Sequence, residues 1–133
     1  MDSIVHFEIP ADDTKRASKF YQEAFGWMMM SMPEMNYTMA GTTPSNEQGM
    51  PQKPGAINGG MPLRKDFKQI SGTEHTVVTI SVDNIDSALQ KIEKLGGKKV
   101  SGKAPVGDMG WTAYFKDTEG NVVGLWQSAQ PRM

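Results

Sequence analysis

The feature that most constrains this chain is an internal repeat. A strand, a short polar cap, an amphipathic helix and a glycine stop occur twice, seventy-one residues apart. In the first copy, residues 4–9 alternate as a strand does, with Val5, Phe7 and Ile9 on one face and Ile4, His6 and Glu8 on the other. Pro10 cannot donate to a ladder and ends the strand. Asp12 or Asp13 caps the helix that follows, because a short carboxylate accepts from the free amides of a first turn. Ala17, Phe20, Tyr21, Ala24 and Phe25 make one apolar stripe, and Gly26 supplies the left-handed stop. In the second copy, 76–82 is a β-branched strand, Asp83 or Asn84 is the cap, Ile85, Ala88, Leu89, Ile92 and Leu95 form the stripe, and Gly96-Gly97 ends the helix. Cap, stripe and stop agree together, which favours a real duplication over two unrelated units.

Each helix is followed by further strand-like segments. Trp27–Met32 and Met35–Ala40 read as a hairpin turning at Pro33-Glu34, and Ala56–Leu63 as a weak strand with a glycine pair. The segment 41–55 is rich in Pro, Gly and polar residues. It is long for a hairpin loop, as expected of a segment that is mobile or folds over a site. Arg64–Gly72 reads as a polar connection. In the second half, a strand begins at Lys98–Ser101, 102–110 is a loop, and Trp111–Lys116 and Asn121–Gln127 are strands joined by the turn Asp117-Thr-Glu-Gly120. A sheet with one helix per half must bury its other face elsewhere. The expected fold is therefore α+β, a single domain over 1–133. Its two halves, about 3–64 and 73–128, share a curved mixed sheet, with helices outside and a cavity inside.

Composition narrows the function. The net charge is −1 with no basic run, which argues against nucleic acid, whose binding relies on clustered Lys and Arg. No apolar run approaches the roughly 20 residues that span a bilayer. Met1-Asp-Ser-Ile lacks the order of a signal peptide, so the expected location is cytoplasmic. There is no cysteine, hence no disulfide and no thiolate metal site. Methionine is abundant, eleven in all, with Met28, Met29, Met30, Met32, Met35 and Met39 close together. Its flexible thioether suits core filling and also adaptable apolar pockets.

Several stretches together resemble the vicinal-oxygen-chelate superfamily, which includes glyoxalase I, extradiol dioxygenases and bleomycin-resistance proteins. They are His6-Phe-Glu-Ile-Pro-Ala-Asp-Asp with Phe20-Tyr21 and Phe25-Gly26-Trp27, Val82-Asp-Asn-Ile-Asp86 with Leu95-Gly96-Gly97, and Tyr114–Gln127. The resemblance covers nearly the whole chain and is closest to small glyoxalase-like proteins. It implies paired βαβββ modules forming a cupped sheet, often in a homodimer. Metal enzymes of the family carry a ligand on the first strand of each module and carboxylates on later strands. His6 matches the first position, but its repeat mate is Val77. The last-strand position is Gly124, and 56–63 has no Asp or Glu. Val and Gly side chains donate to no metal, and one His does not hold a divalent ion. A shifted site of His6, Glu8 and His75 is the one metal alternative, and it needs a strand register about 6–7 Å from the family's.

The resulting expectation is a metal-independent protein that binds a small organic molecule, with no cofactor. His6 and Glu8 are the polar groups of the site and its candidate acid–base pair. Tyr37, Trp111 and Trp126 are candidate ligand-facing rings. Gly59, Gly60 and Gly124 are positions that leave space for a ligand. The alternative is an enzyme of the same fold, a lyase, isomerase or dioxygenase acting on a small organic substrate.

Overall fold

A computed structural model describes residues 1–130. The chain runs β1 (Ile4–Glu8), α1 (Thr14–Phe25), β2 (Met28–Met32), a single 3-10 turn (Pro33–Met35), β3 (Tyr37–Gly41), β4 (Asn58–Pro62), α2 (Arg64–Ser71), β5 (Val77–Ser81), α3 (Ile85–Lys94), β6 (Lys98–Val106), β7 (Gly110–Lys116) and β8 (Val122–Ser128). All eight strands form one sheet in the order β2-β3-β4-β1-β5-β8-β7-β6. The first half supplies one side and the second half the other. In each half the leading strand pairs in parallel with the last one, β1 with β4 and β5 with β8. The halves join through the antiparallel pair β1–β5, where Phe7 faces Val78, Glu8 faces Val77 and His6 faces Thr79.

The duplication is visible in the caps. Asp13 accepts from the Arg16 amide at 3.0 Å and Asn84 from the Ser87 amide at 2.9 Å. These are the second members of the two alternative cap pairs, and they are seventy-one residues apart. Gly26 closes α1 at φ 74°, its amide bonded to the Gln22 carbonyl, a conformation that costs a residue with a Cβ far more than glycine.

Strand alternation sorts side chains onto two faces. Phe7, Val78 and Ile80 point to the face covered by α1 and α3. There, Ile85 and Leu89 of α3 pack with Val82, Ala113, Phe115 and Leu125. Tyr21 of α1 stacks on Trp27 at 4.7 Å, and Trp27 reaches Phe7 at 5.7 Å. His6, Glu8, Val77 and Thr79 point to the opposite face, called here the site face.

Two segments differ from the sequence expectation. Arg64–Ser71 is a helix rather than a polar connection. Its one deeply buried large side chain, Phe67, meets Val77 and Tyr114 on the site face, so it carries too little apolar periodicity to be read as helical. Arg64 clamps its start: Nε to Asp12 Oδ1 at 3.0 Å, Nη1 to the Glu74 carbonyl at 2.9 Å and Nη2 to the Pro10 carbonyl at 3.3 Å. The segment 102–110 is not all loop. β6 continues to Val106 through two shifts of register with β7, and such bulges disguise the alternation. Among the described residues no helix is long and apolar enough to cross a membrane.

Candidate functional site

At the seam between the halves one carboxylate gathers two phenols. Tyr114 of β7 donates to Glu8 Oε1 at 2.5 Å, and Tyr37 of β3 donates to Glu8 Oε2 at 3.1 Å. His6 Nε2 lies 3.0 Å from the Tyr37 oxygen. Since the Tyr37 proton is committed to Glu8, its oxygen must accept, and His6 is the tautomer protonated at Nε2. The result is a directional chain, His6 N–H to Tyr37 O–H to Glu8, met from the other half by Tyr114 O–H. Glu8 is only 8% exposed. A buried carboxylate needs such donors, because an unpaired charge in an apolar interior costs several kcal/mol.

The sheet makes room for these rings with glycine. A Cβ on Gly60 would fall 1.9 Å from Tyr37 Oη, and one on Gly59 would fall 2.4 Å from the Phe7 ring. Gly124 similarly leaves room for the Thr79 hydroxyl and for Tyr114, at 2.8 and 3.4 Å from a Cβ there. The expectation that these glycines open space for a ligand is corrected. The space is filled by the protein's own side chains, and Gly59 serves the helix face rather than the site face.

Burial lowers the His6 pKa to about 4, because removing the ring from water disfavours the cation. Burial raises the Glu8 pKa, and the bonds from Tyr114 and Tyr37 only partly oppose it. Both phenols are held above their ordinary range, first by burial and then by the charge of Glu8. The two groups pull stability in opposite directions. Between the unfolded His pKa near 6.5 and the folded value near 4, the unfolded chain binds a proton that the folded chain refuses. The contribution of neutral His6 is therefore present above pH 6.5 and is lost on acidification towards pH 4, with a limit of roughly 3 kcal/mol. For Glu8, stability is fully present below its unfolded pKa and declines as pH rises through the raised folded value. Urea melts across this range should show His6→Gln with a flatter acid limb than the wild type. Parallel limbs would contradict the assignment.

The candidate residues separate clearly. His6, Glu8, Tyr37 and Gly60 come together. Trp126 shares their face, in the row after Gly124, and lies against Gly110. Trp111 does not belong to the site. It packs against the α3 cluster on the helix face, with the Lys103 ammonium 4.5 Å from its ring centroid. Tyr114 was missed, although Trp111 and Tyr114 are three apart on one strand and must face opposite ways. Asn58 was also missed. It pairs with His6 and pins the loop that leads from β3 into β4, accepting from the Thr42 and Thr43 amides and donating to Ser45 Oγ at 2.7 Å.

Two recesses flank this group. One of about 350 Å³ lies among Thr42–Pro44 and Lys53–Ala56, and one of about 290 Å³ is lined by His75, Val77, Lys116 and Asn121 among others. His75 thus sits at the periphery, and the shifted site with His6 and Glu8 does not assemble. Among the described residues no three His, Asp or Glu side chains gather where they could hold a metal ion. The residues facing His6 and Glu8 across the seam, Thr79 and Val77, add no His or carboxylate donor. Among the described residues, His6 and Glu8 are thus the His and carboxylate donors that β1 and β5 bring to the seam.

Two modules joined through β1 and β5, each a βαβββ unit, define a paired-module α+β domain. A family model described as bleomycin resistance protein-like N-terminal matches residues 3–42. A glyoxylase-like domain-containing protein of Didymella fabae is 32% identical over 118 residues, covering 86% of this chain and 85% of that protein. A putative glyoxylase of Mycobacterium bovis is 28% identical over 126 residues, 91% of this chain, and the match spans only 44% of that protein's length. The chain belongs to the vicinal-oxygen-chelate superfamily, among its glyoxalase-like and bleomycin-resistance-like members. The same fold occurs in a Streptomyces coelicolor methylmalonyl-CoA epimerase solved with 2-nitronate-propionyl-CoA, at a TM-score of 0.65 and 17% identity, covering 98% of this chain and 97% of that one. A hypothetical protein from Bacillus halodurans matches at a TM-score of 0.65 and 14% identity, covering 99% of this chain and 98% of that one.

Proposed function

We propose that this glyoxalase-like protein binds a small organic molecule on the site face, against His6 and Tyr37, without a metal ion. The chain of hydrogen bonds from His6 to Glu8 carries this reading. It directs the hydroxyls of Tyr37 and Tyr114 to Glu8 and the Nε2–H of His6 to Tyr37, and leaves the second ring nitrogen of neutral His6 outside the chain. That nitrogen is an acceptor at the less buried end of the chain. α2 covers the second half of the site face through Phe67, whereas Met28, Met30 and Met39 leave an adaptable apolar floor on the first half. Such a surface suits an apolar body with one donor group for His6.

A second reading has one specific observation behind it. Glu8 is a buried carboxylate with a raised pKa, as suits a general base or acid, with Tyr37 and His6 as a path for its proton. The epimerase complex of the same fold holds a coenzyme A thioester derivative, so an isomerase acting on a small acyl compound is the alternative.

Metal analysis of untagged protein, followed by thermal-shift titration with small aromatic acids and acyl thioesters, tests the first reading. Substoichiometric metal is expected, together with a saturable shift whose affinity falls about tenfold or more in His6→Ala and Tyr37→Phe. Stoichiometric Ni, Zn, Fe or Mn that disappears in His6→Ala would overturn it. Deuterium exchange into methylmalonyl-CoA, abolished by Glu8→Gln, would select the enzyme.

A further inference from the structure

The segment 41–55 is folded on itself. Its two arms bond to each other, the Asn46 amide to the Met50 carbonyl at 3.0 Å and the Gln52 amide to the Pro44 carbonyl at 3.1 Å. The Asn46 side chain accepts from the Gln48 and Met50 amides between them. Asn58, the strand partner of His6, holds the start of the segment through the Thr42 and Thr43 amides. The recess of about 350 Å³ between 42–44 and 53–56 therefore adjoins the row that carries His6, and its walls are fixed by hydrogen bonds and by two prolines, Pro44 and Pro54. Two of its groups are uncommitted. The Thr42 hydroxyl donates to the Ile57 carbonyl at 2.5 Å, but Thr43 Oγ1 has less than 1 Å² exposed and, among the described residues, no hydrogen-bond partner. Buried hydroxyls are normally satisfied, and one that is not asks for an explanation in strain or in a group that the site receives. Lys53 is the one charged residue in the lining, and among the described residues it joins no ion pair.

We propose that this recess is a subsite for the carboxylate of an organic acid. Lys53 supplies the opposite charge and Thr43 a hydroxyl donor. One turn about χ1 exchanges the hydroxyl and methyl of a threonine between staggered wells, so the oxygen can be presented to an occupant with no change of backbone. One ammonium and one hydroxyl match a monoanion. A phosphate, with more charge and more acceptor oxygens, is held by guanidinium forks or by several free amides. The lining holds no Arg, and the Thr42 and Thr43 amides are already given to Asn58. A metal cation is disfavoured by Lys53 and finds no Asp or Glu in the lining. Because the walls are already bonded in place, little ordering opposes binding. The body of the acid would extend from the recess towards His6. That part rests on the function proposed above, and the anion subsite itself does not.

Calorimetric titration of the full chain with phenylacetate, phenylacetamide and phenyl phosphate tests this, in the wild type and in Lys53→Gln, Thr43→Val and His6→Ala. Phenylacetate should bind at least about tenfold more tightly than its neutral amide. Lys53→Gln and Thr43→Val should each remove most of that advantage and leave the affinity for the amide unchanged. Thr43→Val should melt no lower than the wild type, because an unpaired buried hydroxyl gives the fold nothing to lose, and this separates lost binding from lost structure. His6→Ala should weaken acid and amide alike and keep their ratio. Equal affinity for acid and amide, or a ratio untouched by both recess substitutions, would overturn the subsite, and a loss of both ligands in His6→Ala would still support the function proposed above. A ratio that depends on Lys53 and Thr43 in a protein indifferent to His6→Ala would uphold the subsite and overturn that function. Phenyl phosphate bound more than about tenfold tighter than phenylacetate would overturn the choice of a carboxylate. No saturable binding of any of the three up to about 10 mM would overturn the subsite altogether.

Discussion

Glu8→Ala should cost about 3–5 kcal/mol of folding stability at neutral pH, read from urea melts. The carboxylate is the shared acceptor of Tyr37 and Tyr114, two phenols from opposite halves of the molecule. Its removal strands the Tyr114 hydroxyl and leaves Tyr37 with His6 alone, and a buried donor without an acceptor costs roughly 1–3 kcal/mol. The lost side chain also leaves a void beside Val77, its partner across the seam. Glu8→Gln separates this bonding role from the charge. The amide oxygen still accepts from Tyr114, the amide nitrogen donates to the Tyr37 oxygen, and Tyr37 can turn its proton to His6 once that ring changes tautomer. Because burial already disfavours the Glu8 anion, Glu8→Gln should lie within about 1 kcal/mol of the wild type at pH 7 and should flatten the alkaline side of the stability profile. Equal losses in the Ala and Gln variants would mean that the two tyrosines do not depend on position 8.

Gly60→Ala is the second substitution with a large expected effect, about 2–4 kcal/mol. The new methyl would sit 1.9 Å from Tyr37 Oη and 2.1 Å from its Cζ, so the whole ring must move and release both Glu8 and His6. Gly60 does not have a positive φ, so the cost is one of space and not of backbone conformation. A double-mutant cycle makes the distinction. In a Tyr37→Ala background the penalty of Gly60→Ala should shrink by about 1–3 kcal/mol, because the two changes share one cause. Strict additivity would place the strain elsewhere.

Much of the scaffold was legible from local pattern. The alternation of residues 4–9 put His6 and Glu8 on one face, where Tyr37 meets them both. The two cap positions, Asp12 or Asp13 and Asp83 or Asn84, and the stop at Gly26 follow from first-turn amides and from the left-handed turn, and the fold selects Asp13 and Asn84. α2 escaped because one buried phenylalanine in eight residues is no period, and the far end of β6 escaped because its bulges break alternation. The chemistry of Trp111 suits a ligand-facing ring. Parity with Tyr114 along β7 sends it to the α3 side.

The sequence by itself determined the duplication, the two helices with their caps, the parity of each strand and the thin supply of metal donors. These are written in residue type at spacings of two to four, or in plain absence. Only the tertiary structure decided which groups meet Glu8, since its phenol partners are 29 and 106 residues away and arrive through a strand order that no local period encodes. It also decided what the glycines are for. A missing Cβ leaves room, but only the folded sheet shows that Phe7, Tyr37 and Tyr114 occupy it.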